Sequence, residues 1–318
     1  MLSLEITVVI PTHNRVDFLR EAFQSVVDQS VEAEIIIVDD GSTDPTPDWL
    51  VSLDEPRVLW FRQEPGRGGS AARNRGLDAC RSPFVMFLDD DDLLRPDALS
   101  TLWDALQAAP EAAGAAGSYR RFGDVDRAER DLHPSTAVTA PLWRELLFGW
   151  NMPPAALLWR SDVVRAIGGW DASLPRCEDR NINLRAYPRV FTLVPDTVMS
   201  YRVHAAQVPS AATRIVHREM VQRFVSTLPP PDRSVGKAII DLQERFPDAL
   251  DAYNDGRYRE ALPTLWEAAV GSTALRRSPV LGRWLMRLVA TAVIGALGPR
   301  RPMRLLHHWL RGRNRIHQ

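Results

Sequence analysis

The chain has little cysteine: two residues, Cys80 and Cys177, among 318. They lie far apart and in no metal-ligand spacing, which argues against a disulfide scaffold and fits a reducing compartment. No stretch supplies the roughly 20 apolar residues of a membrane-spanning helix. The nearest approach is eleven apolar or small residues between Arg287 and Pro299. The opening residues MLSLEITVVI have neither a basic start nor a small-residue cleavage site. They are therefore expected to form a strand rather than a secretory signal, and the cytoplasm is the expected location. Also missing are a Gly-Lys-Ser/Thr phosphate loop, a glycine fingerprint after the first strand and the Asp-x-Asp-x-Asp-Gly spacing of a calcium loop. Those absences argue against a P-loop enzyme, a nicotinamide dehydrogenase and an EF-hand protein.

What is present is ordinary in bulk and uneven in distribution. The hydrophobic fraction of 45% and charged fraction of 25% are those of a soluble globular protein. The net charge of −1 conceals ten arginines after residue 270, where there is no Asp, Glu or Lys. Removing those ten positive charges leaves −11 on residues 1–270. An acidic body with a basic tail predicts an anionic partner for the tail.

The first hundred residues alternate apolar runs with helical periodicity. Ile6–Ile10, Glu34–Val38, Val58–Phe61 and Pro83–Leu88 read as strands. Helices are predicted between them: one capped by Asn14 and running through Val27, one over Thr46–Leu53 and one over Ser70–Cys80. Apolar strands without alternation, separated by helices, predict a mostly parallel sheet covered on both faces. Ligands of such sheets bind beyond the carboxyl ends of the strands. Those ends carry Thr12-His13-Asn14, Asp39-Asp40-Gly41-Ser42 and Asp89 to Asp92.

Four adjacent carboxylates repel one another and call for a cation or solvent. Hard oxygen ligands of this kind suit Mg²⁺ or Mn²⁺ holding substrate phosphates. A solvated acidic loop is the plain alternative, disfavoured by the position at the end of a buried strand. The stretch Gly66–Asn74 feeds a helix N-terminus and carries two arginines, features that attract phosphate. Asp39-Asp40 could end a strand or accept hydrogen bonds from a base or ribose, and Asp179 could cap a helix or act as a base.

Four stretches, TVVIPTHNR (7–15), EIIIVDDGSTDPT (34–46), GRGGSAARNRGLDAC (66–80) and FVMFLDDDDLLRPDAL (84–99), resemble the nucleotide-binding half of family-two glycosyltransferases. IGGWDASLPRCEDRNINLRA (167–186) and YRVH (201–204) are similar to that family's acceptor-side and closing segments. The resemblance implies an α/β fold of the GT-A type, a nucleoside-diphosphate sugar donor (UDP-, GDP- or dTDP-linked), an acceptor hydroxyl and a divalent ion, Mn²⁺ or Mg²⁺. It implies that Pro11, Thr12 and His13 border the nucleobase, that Asp39 bonds the base, and that Arg73 lies near base or phosphates. Asp89 and Asp91 match the family's Asp-x-Asp pair, Asp91 as metal ligand and Asp89 toward ribose or sugar, with Asp90 beside them on the nucleotide side. Asp179 matches the catalytic base, and His204 a contact to metal or diphosphate. The implied reaction is a single inverting transfer in polysaccharide or glycoconjugate synthesis. The Gln-x-x-Arg-Trp signature and membrane spans of processive synthases are absent.

The expected organisation is a glycosyltransferase domain over 1–225, divided into a nucleotide half (1–100) and an acceptor half (101–225). A helical extension follows over 226–275, opened by Pro229-Pro230-Pro231 and containing a helix-turn-helix at 251–269. The basic amphipathic tail of 276–318 suits either an anionic membrane surface, through 281–316, or the acidic body of a protein. Nucleic acid is not an expected partner. Two rival functions remain at this point, a nucleotidyltransferase and an inactive nucleotide-sugar-binding protein.

Overall fold

The computed structural model describes residues 4–124, 138–148, 152–204, 211–271 and 281–297. The chain divides into two compact units, residues 1–146 with 151–224, and residues 147–150 with 225–318. The tail beyond residue 297 lies outside the described residues.

Unit 1 opens with β1 (Ile6–Thr12), α1 (Val16–Val27), β2 (Glu34–Asp39), α2 (Thr46–Ser52), β3 (Val58–Arg62), α3 (Gly69–Ala79) and β4 (Phe84–Phe87). It continues through β5 (Leu93–Leu94), α4 (Ala98–Ala108), β6 (Gly114–Gly123), β7 (Val138–Ala140) and α5 (Trp143–Phe148). Then come β8 (Leu157–Arg160), α6 (Ser161–Ala166), α7 (Glu178–Arg185), β9 (Phe191–Val203) and α8 (Ala211–Thr227), the last running across the unit boundary. The strands form one sheet in the order β3-β2-β1-β4-β8-β6-β9-β5, with β7 on β9.

The first four strands are parallel, because each right-handed crossover carries a helix over the sheet. β1 and β4 are buried along their whole length, and all of β2 but Glu34 is too, since helices cover both faces. β3 departs from this expectation. It is an edge strand, and its Leu59 and Trp60 reach solvent. Beyond β4, β8 joins antiparallel, and β6 pairs β8 antiparallel but β9 parallel. Register aligns Thr12 with Asp39 and Asp39 with Arg62, so the carboxyl ends of three strands meet on one edge.

The helix start after β1 differs from the prediction. Asn14 does not cap α1. It adopts a left-handed conformation (φ 56°), and its Oδ1 accepts from the backbone N–H groups of Thr43 and Asp44. Asp44 Oδ2 takes over the cap, accepting from Val16 N at 3.0 Å. The reason is tertiary: the turn after β2 delivers a carboxylate to the orphan N–H groups of α1.

Unit 2 contains α9 (Pro230–Asn254), a turn centred on Gly256, and α10 (Tyr258–Trp266), which runs into a π-helical turn over Glu267–Gly271. The last helix among the described residues, α11 (Leu281–Leu297), packs on α10, and its buried Leu285, Val289 and Ala292 repeat on one face.

The fit of α3 against β1 is close. A Cβ at Gly76 would lie 2.3 Å from Val9 Cγ1 and 3.2 Å from its Cβ, inside a rigid buried side chain. Gly76→Ala is therefore expected to destabilise the protein by about 1–3 kcal/mol through overpacking. A thermal melt checks this, and an unchanged midpoint would contradict so tight a contact.

Candidate active site

The acidic run begins two residues past β4, and each aspartate meets a different partner. Asp92 is buried, and its Oδ1 accepts from Arg202 N at 2.8 Å, which pins the loop to β9. Asp90 is buried as well. Its Oδ2 accepts from Thr12 Oγ1 at 2.8 Å, and its Oδ1 lies 3.2 Å from Arg15 Nη1. Burial pushes the Asp90 carboxyl up to about 6, with Asp91 and Asp89 adding to the rise and Thr12 and Arg15 opposing it. Burial likewise raises Asp92 well above the ordinary carboxylate range. Asp91 Oδ2 contacts Arg15 Nη1 at 3.0 Å and His204 Nε2 at 2.9 Å. Asp89 pairs with Arg73 Nη2 at 2.5 Å. Arginines thus supply the compensation that the acidic run demands. Asp90, expected on the nucleotide side, is turned inward to brace β1.

Arg202 holds the loop from the other side. Its Nε donates to Asp91 O, its Nη2 pairs with Glu21, and its guanidinium lies over Phe18 and Phe122 at 4.7 and 4.5 Å. The segment YRVH is thereby explained: Arg202 fixes the acidic loop and His204 faces Asp91.

Other predicted residues are placed less openly. Pro11 and Thr12 are buried and His13 is exposed, with its Nδ1 bonded to Asp40 O. Asp39 has no exposed surface. Its Oδ1 accepts from Ser42 N, and its Oδ2 pairs with Arg62 Nη1. A base at this edge would meet Arg62 as well as Asp39. Asp40, to which the family resemblance assigns no role, proves to be structural. Its two oxygens accept from Arg67 N and Gly68 N, both at 2.7 Å, fastening the glycine-rich loop to the end of β2. A Cβ at Gly66 would stand 2.3 Å from Asp40 O, so the two loops pack backbone to backbone. The signal was present as Asp-Gly after one strand and Gly-x-Gly-Gly before the next helix.

Arg73 belongs with the acidic loop and α7 in this structure. Its buried guanidinium pairs with Asp89, lies 3.7 Å from Glu178 Oε1 and stacks 4.6 Å from the Trp170 ring. Its Nε and Nη1 are buried without hydrogen-bond partners. Burial opposes the charge, but Asp89, Glu178 and Asp179 outweigh it and raise the pKa. Asn74 on the same helix exchanges two hydrogen bonds with the Trp170 backbone, at 2.8 and 2.7 Å. Arg185, at the far end of α7, donates to Ile167 O and Gly169 O. α3 and α7 are therefore tied through residues 167–170, and the start of α7 faces the end of β4.

The result is a cavity of about 300 Å³ lined by Arg73, Asp89, Tyr119, Arg121, Glu178, Asp179 and Tyr201, with Pro153 and Pro154. Its size is at the small end of ligand sites. Asp179 Oδ1 accepts from Arg180 N at 2.7 Å, at the first turn of α7. Burial raises Glu178, against the pull of Arg73. A larger surface cavity of about 380 Å³ is lined by Glu21, Asp28, Gln24, Leu93 and Pro96. It has carboxylates and no basic side chain, a poor match for phosphate.

Residues 7–162 match the profile described as Glycosyl transferase family 2. That match runs from β1 through β8. The chain is 35% identical over 106 residues to the succinoglycan biosynthesis protein ExoO of Rhizobium meliloti, covering 33% of this chain and 30% of that one. It is 40% identical over 102 residues to the GalNAc(5)-diNAcBac-PP-undecaprenol beta-1,3-glucosyltransferase of Campylobacter jejuni, covering 31% and 33%. The aligned stretch thus spans only about a third of these curated relatives. In fold, the chain is similar to residues 1–349 of S. aureus TarS in complex with UDP-GlcNAc. The TM-score is 0.65 at 16% identity, covering 91% of this chain and 89% of that one. It is also similar to a mannosyltransferase of Pyrobaculum calidifontis in complex with GDP-Man and Mn²⁺, with TM-score 0.55 and 19% identity, covering 92% and 86%. The GT-A architecture expected from the sequence is the one observed.

Among the described residues, no three His, Cys, Asp or Glu side chains are grouped to hold an ion unaided. Mg²⁺ and Mn²⁺ sites in nucleotide enzymes do not require three, since phosphates and water complete them. A carboxylate and an imidazole on one point, Asp91 Oδ2 and His204 Nε2, are a donor set suited to Mn²⁺. The residues fit the ion that the family implies.

Behind Asp179, the guanidinium of Arg180 contacts His217 Nε2 on α8. Burial, then the Arg180 charge, push His217 down to about 4. Neutral His217 is the form favoured by the fold. Its contribution is complete above the free imidazole pKa of about 6.5 and is lost as pH falls from there through 4. Melting temperatures from pH 7 to 4 are expected to fall more steeply for the wild type than for His217→Gln. Parallel curves would contradict a histidine held neutral by the fold.

Proposed function

We propose that this glycosyltransferase moves one sugar from a nucleoside-diphosphate sugar to an acceptor hydroxyl with inversion at the anomeric carbon. The observation that carries the reading is the meeting of Asp89, from the end of β4, with Glu178 and Asp179, from the start of α7, on one cavity beside Arg73. A diphosphate leaving group and a proton acceptor are both served there.

The chemistry follows from charge. As the anomeric C–O bond breaks, negative charge grows on the departing phosphate oxygens, and preorganised cations lower that barrier. Arg73, which lines the cavity beside Asp89, is the cation placed to meet the sugar or the phosphates. Asp91 and His204 would hold the divalent ion, which when bound neutralises diphosphate charge as a Lewis acid. Asp179 accepts the proton of the acceptor hydroxyl while that oxygen bonds to the anomeric carbon from the face opposite the diphosphate. One displacement inverts the centre. Tyr119, Tyr201, Pro153 and Pro154 form the less polar wall against which a sugar ring packs.

UDP-sugars are the first donors to test, since a fold neighbour holds UDP-GlcNAc, with GDP- and dTDP-sugars beside them. Polysaccharide or glycoconjugate synthesis is the proposed setting, consistent with the relatives' names. The proposed division is catalysis over 1–225, a helical extension over 226–275 and a basic tail over 276–318. No described helix is long and apolar enough to cross a membrane. The ten arginines after residue 270 and the apolar residues among them suit peripheral contact with an anionic leaflet through 281–316.

Asp179→Asn is expected to retain UDP binding by calorimetry and to lose about 10²–10⁴-fold in turnover. Wild-type turnover would show that the base lies elsewhere. Vesicles with anionic phospholipid are expected to float the full chain but not one truncated after residue 275, and phosphatidylcholine vesicles to float neither. Equal flotation of both chains would remove the membrane contact.

A further inference from the structure

Arg15 is a cation at the open side of the acidic loop. It lies between β1 and α1, and its backbone is fixed independently of its side chain. Its carbonyl accepts from Leu19 N, while Asp44 caps the neighbouring N–H of α1. Its Nη1 stands 3.0 Å from Asp91 Oδ2, the oxygen that His204 Nε2 also approaches at 2.9 Å, and 3.2 Å from Asp90 Oδ1. The exposures are unequal, 48% for the Arg15 side chain and 11% for that of Asp91. A buried carboxylate is thus covered from the solvent side by a half-exposed guanidinium on a long stem.

We propose that Arg15 is the resident counter-cation of the acidic loop. It occupies Asp91 while no divalent ion is bound, yields that oxygen when the ion arrives, and then turns to the diphosphate. The proposal rests on the reading that Asp91 and His204 hold the ion. The argument is electrostatic. A divalent ion bonds a carboxylate oxygen at roughly 2.0–2.2 Å. At that distance it would share Asp91 Oδ2 with a guanidinium 3.0 Å from the same atom, and two like charges so close repel. Arg15 is the partner that can leave, because about half of its side chain is already in water on a flexible stem, whereas Asp91 is buried in the loop. Once released, its planar fork matches a phosphate, which a diphosphate beside Asp91 would present. Arg15 therefore lowers the affinity for the bare ion and raises the affinity for the ion together with its nucleotide.

The test measures Mn²⁺ alone, then UDP at saturating Mn²⁺, on the full chain. Free Mn²⁺ is read by electron paramagnetic resonance and UDP by calorimetry, with Arg15→Gln, Arg15→Lys and Asp91→Asn. Arg15→Gln is expected to tighten Mn²⁺ alone by roughly two- to fivefold, the value of a half-exposed ion pair, and to weaken UDP. Arg15→Lys keeps the charge but not the fork, so it should leave Mn²⁺ near wild type and still weaken UDP, a result that survives if the glutamine variant folds poorly. Asp91→Asn should lose Mn²⁺ binding. Unchanged or weaker Mn²⁺ binding in a folded Arg15→Gln, with Asp91→Asn inert, overturns the role of Arg15 alone. Wild-type UDP affinity in Arg15→Lys overturns the turn to the diphosphate. Wild-type Mn²⁺ binding in Asp91→Asn overturns the ion site itself, and this proposal with it.

Discussion

Like charge crowded into four successive residues at the end of a buried strand is the constraint on which the site depends. Asp89 to Asp92 cannot share one environment. Asp90 and Asp92 turn inward, to Thr12 and to the Arg202 backbone, and anchor the loop to β1 and β9. Asp89 lines the cavity beside Arg73, and Asp91 is buried beneath Arg15 and His204. The inward pair bears a desolvation penalty, visible in the raised carboxyls of both. In return Asp89 and Asp91 are held at fixed positions, which the proposed electrostatic catalysis would require.

The proposed transfer also requires that a base stand opposite that loop. Sequence separation makes this a long-range problem, solved by α3. Asn74 seizes the Trp170 backbone, Arg73 stacks on the Trp170 ring, and Arg185 returns from α7 to the carbonyls just before it. The Gly-Gly-Trp and Glu-Asp segments are thus one mechanical piece. It delivers Asp179 and Glu178 to the cavity that Asp89 enters.

Much of this was legible in the chain because the parallel strands are apolar runs that stop where polar clusters begin. Burial on both faces writes itself into Ile6–Ile10 and Glu34–Val38 with no need of a partner. The site residues were legible as types at strand ends. Their partners were not, since Arg202 contacts the acidic loop across about 110 residues and Asp44 caps a helix 28 residues before it. The same applies to Asp39, which reads as an open ligand and is enclosed by Ser42 and Arg62. Capping and ion pairing depend on what the fold brings near, and spacing along one segment cannot encode it. The basic tail carries its charge in plain view, yet most of it lies outside the described residues.

The central claim is that Asp91 and His204 together hold a divalent ion against the leaving diphosphate. Pulsed electron paramagnetic resonance of Mn²⁺ with UDP on the full chain tests it directly. The account predicts phosphorus couplings from the diphosphate together with an imidazole nitrogen coupling that disappears in His204→Ala. Phosphorus couplings with no protein nitrogen, or a nitrogen signal unchanged in His204→Ala, would contradict it.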